Sequence, residues 1–551
     1  MLGAKQYDVV VVGGGIYGIS IARDAALRGL TVALLEKEDF GHATSSNHHK
    51  IIHGGFRYLQ HCDLRRMRES IRERSILLRI APHLVRPLPF LIPTSRHPLQ
   101  RKLLMSAALK LNDLISFDRN RNLKVRNKIP AGRVISKDEC LNLCPVLNQR
   151  MMTGGALFFD AQVQNPARLN LAVLLSAVQS GATAANYVSA SQFIREGNNI
   201  IGVRATDVLA GDSFPVRARL VVNCAGPWAG HVLEDLGASV KPFLTSLCKA
   251  FVLVTRRLTA EIALGVPSRF EYRDSDAVIK KGFRYFFITP WRNASLVGTF
   301  QSPYRGAPES VAVTELEIRS AIDEINAALP GAGLTRADVT SILKGIVPAS
   351  ESGSQGVDVQ LKKQHEIYDH AAEDGINGLI SVLGVKYTTA RSVAEKTVNL
   401  VCKKFGRETP RSATAEKPVH GGDIGSFEEF LTLALDKKPA HIAPETIHHL
   451  VQTYGSSYQD ILRYCDTDSR WSRGIAAESP SITAQVVHGV RAEMAQKLAD
   501  VIFRRTDLGT AGYPGHEAIS TCAEIMASEL GWDHKRVSHE LSEVDSHFGR
   551  R

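Results

Sequence analysis

Three glycines at fixed spacing, Gly13-x-Gly15-x-x-Gly18, and one acid downstream, Glu36, are the residues of this chain best placed for a defined chemistry. Glycines so spaced let a backbone turn sharply and approach a pyrophosphate, whose charge meets the amides at a helix N-terminus. An acid roughly twenty residues further on accepts hydrogen bonds from an adenosine ribose. A glycine triplet alone is a weak signal, and its setting gives it weight. The apolar run Tyr7–Val12 precedes it, a helix-like run from Ile16 to Arg28 comes next, and a second apolar run, Thr31–Leu35, ends at Glu36. Strand, glycine turn, helix, strand and acid in that order make a dinucleotide-binding βαβ unit.

That unit leaves NAD and FAD open, and the residues after it favour FAD. Thr44-Ser45-Ser46 and His53-Gly54-Gly55 come soon after the ribose-binding acid. Small hydroxyl residues and glycines there suit a long cofactor that continues across the domain toward a buried ring. A later run, Leu220-Val221-Val222-Asn223-Cys224-Ala225-Gly226, looks like a strand that returns to the same cofactor. Lys37 beside the acid, Val188 at the end of the strand-like run Ala184–Val188, and Trp228 just past Gly226 join the expected FAD contacts. No metal site is expected, because the eight cysteines are scattered without C-x-x-C pairs. A reducing cytosol fits that cysteine usage.

The elements that must carry these residues call for more than one domain, since a single core stops growing near roughly 250–300 residues and the chain has 551. Hydrophobic content of 44% and charged content of 22% belong to an ordinary globular protein. No apolar run approaches the roughly 18–20 residues that span a bilayer, and no signal-peptide core precedes the first strand. The net charge of +11 is concentrated between Arg57 and Arg133. Within that stretch, Leu99–Phe117 mixes Leu, Ile, Ala and Met with Arg101, Lys102 and Lys110, the pattern of an amphipathic helix on an anionic membrane or of a solvated cap helix. No recognition motif accompanies the charge, so nucleic acid is not an expected partner.

Residues 1–405 read as an α/β FAD-binding unit whose cap comes from segments near 61–150 and 241–349. The first cap segment is expected to be largely helical, from the spacing in Met67–Leu84 and Leu103–Ile115. The second carries β-like runs at Phe251–Val254, Tyr285–Thr289 and Leu296–Phe300 and a helix from Thr314 to Ala328. Gly378–Gly384 reads as a buried strand and Thr388–Phe405 as a helix. After a polar loop near 406–422, residues 423–551 show only helical periodicity, as in Phe427–Leu435, Thr446–Tyr454 and Ala484–Phe503, and 406–551 are expected to form a separate all-α domain.

Several stretches together resemble the FAD-dependent glycerol-3-phosphate dehydrogenase family. They include Ile21-Ala22-Arg23-Asp24-Ala25-Ala26, Lys50-Ile51-Ile52-His53-Gly54-Gly55-Phe56-Arg57-Tyr58-Leu59, Asp160-Ala161-Gln162-Val163, Pro290-Trp291, Val297-Gly298-Thr299, Gly384-Val385-Lys386-Tyr387-Thr388-Thr389 and Asp500–Thr506. The resemblance spans nearly the whole chain. It implies a glutathione-reductase-type FAD fold, an α+β substrate cap, a helical C-terminal domain, oxidation of a secondary alcohol, and electron transfer to a membrane quinone or another acceptor. Such oxidation delivers hydride from carbon to flavin N5 while a base removes the hydroxyl proton. His53 is the expected base or hydrogen-bond partner, with packing beside the flavin ring as its other role. Arg57 offers a fork of donors to a phosphate or carboxylate. Lys386 is placed to hold a substrate anion or to stabilise charge on reduced flavin. Tyr58, beside Arg57, joins the expected substrate contacts, and amides near Tyr387 and Thr388 are expected to face the flavin.

The departures bear on the substrate. Where the family carries Arg in a Gly-x-Arg-Pro segment, this chain reads Gly345-Ile346-Val347-Pro348; Phe251 stands for a cap histidine, Gln301 for an Asp, and Val385 for a glycine. Arg284, in a cap strand, is a candidate replacement cation. Asn47-His48-His49 replaces small residues, and His48 sits where related amine-oxidising flavoproteins attach FAD covalently. Two other readings therefore stand beside the first: an amine or amino-acid oxidase of the same fold, and a flavin-binding protein without turnover.

Overall fold

The computed structural model describes residues 2–549, apart from 98–100, 148–151, 242, 244–245, 274–280, 351–360, 409 and 478. Tyr7–Val12 is a strand with its side chains buried on both faces, as a central parallel strand must be. Its parallel neighbours are Val32–Leu35 on one side and Ser213–Asn223 on the other. Thr183–Ala185 and Leu379–Leu383 extend this parallel sheet at its two ends, and Glu366–Asp369 adds an antiparallel edge. The helix Ile16–Leu27 crosses between the first two strands and packs between helices Pro166–Gln179 and Ala390–Lys404. This is the α/β layer expected from the sequence.

A second sheet stands over the first. Its order is Val339–Pro348, Leu247–Arg256, Ala294–Tyr304, Lys281–Trp291, Ala263–Arg273, Val85–Thr94, Gly154–Val163 and Ile51–Ile52. Helix Glu315–Ala328, capped by Thr314, covers one face with Ile318, Ile322 and Ile325. One expectation is corrected here. The first cap segment is mainly helical, through Leu64–Ile80, Lys102–Ile115 and Lys137–Leu143, but the helix expected to run to Leu84 ends at Ile80, and Val85–Thr94 is a ten-residue strand pairing along its whole length with Gly154–Val163. Pro87, Pro89 and Pro93 argue against a strand, yet their even spacing puts every missing N–H on the same edge. On that edge the strand pairs only Phe90 and Leu91, with Ala263 and Leu264.

From residue 427 onward the chain is helical, built on two small apolar clusters. The continuous helix expected over Ala484–Phe503 is also corrected. It stops at Arg491, and the chain resumes with a short turn at Leu498–Asp500 and a π-helical turn at Val501–Arg505. The break has a physical cause. Glu493 turns inward to accept two hydrogen bonds from Arg168 Nη1 at 2.8 and 2.7 Å, and Met494 takes a left-handed φ of 59°. A buried charge pair outranks helix continuity.

Candidate functional site

The glycine turn lies at the C-terminal edge of the parallel sheet, and the backbone there is stripped of side chains for steric reasons. A Cβ on Gly13 would sit 2.6 Å from the Cys224 carbonyl oxygen, and one on Gly18 only 1.9 Å from the Gly13 oxygen. Gly15 is the N-cap of helix Ile16–Leu27 and offers no side-chain cap, which leaves first-turn amides for an anion. Ser45 Oγ accepts from Ile16 N–H at 3.0 Å and so ties the hydroxyl loop to that turn.

Glu36 accepts from Gly14 N–H at 2.6 Å and from Glu38 N–H at 2.9 Å. Burial nevertheless pushes its carboxyl up to about 7. Beyond it, Lys37 and Trp228 share Glu309, with the lysine Nζ 4.3 Å from the indole ring.

One cleft connects these residues to Gly384, Lys386 and Tyr387 past the end of strand Leu379–Leu383. Gly13, Gly15, Glu36, Lys37, Thr44, Ser45, Val188, Ala225, Gly226, Trp228, Gly384, Lys386 and Tyr387 all line it. The residues expected to contact a cofactor are thus largely brought together. A bare glycine cradle and an acid at one end fit an FAD.

The others stand close behind. Gly18 is a helix-packing glycine, Gly55 takes a left-handed φ of 82° before the turn Phe56–His61, and Thr388 Oγ1 accepts from His53 N–H at 3.3 Å. Ser46 lies in the same hydroxyl loop, its Oγ buried. His48 lines the cleft with its ring 4.6 Å from that of Tyr387.

At the Lys386 end, Lys386 Nζ lies 4.4 Å from the centre of the Tyr58 ring, and the His53 and Tyr58 rings meet edge-on at 5.9 Å. Burial, with Arg66 nearby, lowers the Lys386 ammonium to about 8. Burial, then Lys386 and Arg74, lowers His53 to about 4, so its imidazole is neutral at pH 7. Its loop is fixed from below, where Asp160 accepts from Gly54 N–H and pairs with Arg74.

One expected substrate contact, Phe251, is placed elsewhere, while Arg57 stays within reach of Tyr58, whose phenol feels its charge. Phe251 is buried in the apolar core under helix Glu315–Ala328, its ring stacked 5.2 Å from Phe300. It is set there because it shares a strand face with Leu253, opposite Val252 and Val254. Arg57 is exposed. Arg284 belongs to the strand Lys281–Trp291, but its side chain lies outside the described residues. The Gly345–Pro348 segment does border the cleft, through Ile346, Val347 and Pro348.

Two further residues of the site had no clear signal in the sequence. Tyr17 Oη donates to the Lys386 carbonyl at 2.7 Å and accepts from Lys386 N–H at 3.1 Å, clamping the first helix to the Lys386 loop. A Cβ on Gly384 would strike its ring at 2.0 Å, so the glycine makes room for the tyrosine. The other is Arg66, beside Tyr58. An aromatic residue inside the glycine turn was the available hint for the first; nothing local distinguished Arg66 within its basic run.

Comparison with known proteins matches residues 8–391 to the family described as FAD dependent oxidoreductase. Residues 412–537 match the C-terminal domain of alpha-glycerophosphate oxidase. A glycerol-3-phosphate dehydrogenase of Synechocystis sp. is 34% identical over 98% of this chain and 96% of its own. The human mitochondrial glycerol-3-phosphate dehydrogenase is 30% identical over 98% of this chain and 72% of its own. The structure of glycerol-3-phosphate dehydrogenase from Bacillus halodurans complexed with FAD superposes with a TM-score of 0.76 at 25% identity, covering 99% of this chain and 95% of that one.

Proposed function

From the premise that this chain belongs to the FAD-dependent glycerol-3-phosphate dehydrogenase family, we propose that it oxidises glycerol 3-phosphate at its secondary alcohol. The observation that carries the reading is the pairing, at the reactive end of the cleft, of a cation with a neutral imidazole: Lys386 over Tyr58, and His53 beside it. Lys386 holds the phosphate end. The His53 imidazole, uncharged at neutral pH and with Nδ1 unpaired among the described residues, is ready to take the hydroxyl proton. Bound FAD supplies the acceptor for the hydride leaving the same carbon, at its N5. Tyr17, by gripping both the N–H and the carbonyl of Lys386, keeps the ammonium aimed at one place. The phosphate stays intact, and the product is the corresponding 2-ketone.

The electrons are proposed to pass to a membrane quinone, with the protein docked peripherally from the cytoplasmic side. Helix Lys102–Ile115 supports docking: Leu103 is 83% exposed, Leu114 71% and the adjoining Phe117 78%, alongside Arg101, Lys102 and Lys110. Among the described residues no helix is long and apolar enough to cross a membrane.

Anaerobic titration of the holoenzyme with glycerol 3-phosphate tests the substrate. Stoichiometric loss of the oxidised flavin absorbance is expected. Bleaching by a small secondary amine instead moves the protein to the amine-oxidising reading, and bleaching by neither leaves only flavin binding.

A further inference from the structure

A phosphate ester needs positive charge at the reactive end, and the strand wall there supplies none. Val347 is apolar, and the nearest cation on that strand, Lys344, donates its Nζ to the Val311 carbonyl at 2.9 Å. Arg57 is exposed, though its charge reaches Tyr58, and Arg74 is paired with Asp160. Two further cations lie against the Tyr58 ring. Lys386 Nζ lies 4.4 Å from the centre of the Tyr58 ring, and the Arg66 guanidinium carbon lies 5.1 Å from it.

Arg66 sits in the first turn of helix Leu64–Ile80, its side chain 14% exposed. Asp63, the N-cap of that helix, accepts from Arg66 N–H at 2.9 Å and from its Nε. Nη1 and Nη2 have no hydrogen-bond partner among the described residues. Its neighbours are used differently: Arg68 is held bidentately by Asp118 at 2.6 and 2.8 Å, and Arg65 is exposed.

Lys386, Arg66 and Arg57 bear on this ring and its neighbours against Asp63 and Glu69, and Glu69 is already paired with Lys396, so positive charge is in excess and costs electrostatic energy until an anion joins it. A phosphate dianion accepts well from a guanidinium fork. We propose that Arg66 is a substrate-binding residue, its free guanidinium edge closing with Lys386 on the phosphate of the substrate. This rests on the reading of the Lys386 end as the place of turnover.

The groups that bear on Lys386 are Arg66, Asp63 and Glu69, while His53 and His365 feel its charge in turn. Removing the Arg66 charge leaves the two acids less opposed, so the Lys386 proton should be lost at higher pH. That shift follows from charge alone, so the KM and the phosphate affinity separate a substrate-binding arginine from a structural one.

The test is steady-state kinetics of the holoenzymes of Arg66→Gln and Arg66→Lys with glycerol 3-phosphate, beside spectral titration of the oxidised flavin with inorganic phosphate. Expected for Arg66→Gln are a KM at least tenfold higher with kcat within about threefold, weaker phosphate binding, and an upward shift of the alkaline break in kcat/KM. Arg66→Lys should recover part of the KM. An unchanged KM and phosphate affinity in a well-folded Arg66→Gln overturns the proposal and leaves the substrate reading intact. If glycerol 3-phosphate fails to reduce even the unaltered enzyme, the substrate reading falls, and the phosphate titration alone decides: weakened binding in Arg66→Gln upholds an anion site for another phosphate ester, and equal binding ends it. Should Arg66→Gln not fold, Arg66→Lys with wild-type KM, phosphate affinity and pH break counts against the proposal, and a raised KM with weaker phosphate binding counts for it.

Discussion

Lys386 is where charge, burial and reactivity meet at a single residue. An ammonium lowered to about 8 by burial and by Arg66 is charged at neutral pH and loses its proton only slightly above it. An anionic substrate held by that charge should show a KM that is lowest near pH 7 and climbs as pH passes 8. Replacing the lysine by arginine, which keeps its charge throughout this range, should flatten the alkaline rise. A KM unchanged from pH 7 to 9.5 in the unaltered enzyme would remove Lys386 from phosphate binding. His53 sets the other limit. With its proton affinity lowered to about 4, its base form is full across the same range, so no acid limb from this group is expected above about pH 5.

At the scale of elements, the glycine turn and the cap helix make separate demands. Gly18→Ala would press a methyl carbon to 1.9 Å from the Gly13 oxygen, and both are backbone-borne, so the turn itself must open. The expected result is a protein that still folds but binds FAD at least tenfold more weakly, about 1.4 kcal/mol, read from flavin retained on dialysis. Helix Lys102–Ile115 carries the membrane proposal. Leu103→Ser with Leu114→Ser should reduce co-sedimentation with anionic vesicles several-fold and leave turnover with a soluble acceptor unchanged. Equal sedimentation of the two proteins would refute docking through this helix.

Both of these elements were legible in the residues, because each announces itself over a short window: strand, glycines and acid in one case, apolar and basic alternation in the other. Val85–Thr94 was not, since three prolines mask a strand whose pairing partner lies some seventy residues away. The stop at Arg491 was hidden for a related reason. Its cause, Arg168, is 325 residues distant. Phe251 matches a cap histidine of the family the chain resembles, whereas strand alternation turns it into the core. Arg66 was invisible because only the fold sets it against Tyr58.

For the molecule as a whole, buried charge fastens the helical tail to the FAD-binding layer. Asp39 accepts from Arg505 at 2.6 and 2.8 Å, Arg168 holds Glu493, and Tyr187 Oη donates to Asp500 at 2.8 Å. Burial raises the Asp39 and Glu493 carboxyls, but Arg505 and Arg504 in the first case and Arg168 in the second hold both well below the usual carboxylate range. A carboxyl depressed on folding contributes stability that is present above its unfolded pKa, near 4, and is lost as pH falls below it. The attachment of the tail should therefore weaken on acidification, before any loss at alkaline pH. Glu493→Gln should cost about 3–5 kcal/mol, since it leaves Arg168 buried without its counter-charge. Urea unfolding at pH 7 would measure it, and a loss under 1 kcal/mol would show that the pair matters little.

The phenol of Tyr17 reaches across 369 positions of sequence to hold one residue by both its N–H and its carbonyl. Through that single latch, the glycine turn and the loop of Lys386 are spliced into one mouth. A fragment occupying only the adenosine portion would leave half of that mouth slack. Coenzyme capture and release are thus expected as all-or-none events, and a stripped enzyme should regain its colour without a long-lived, half-seated form.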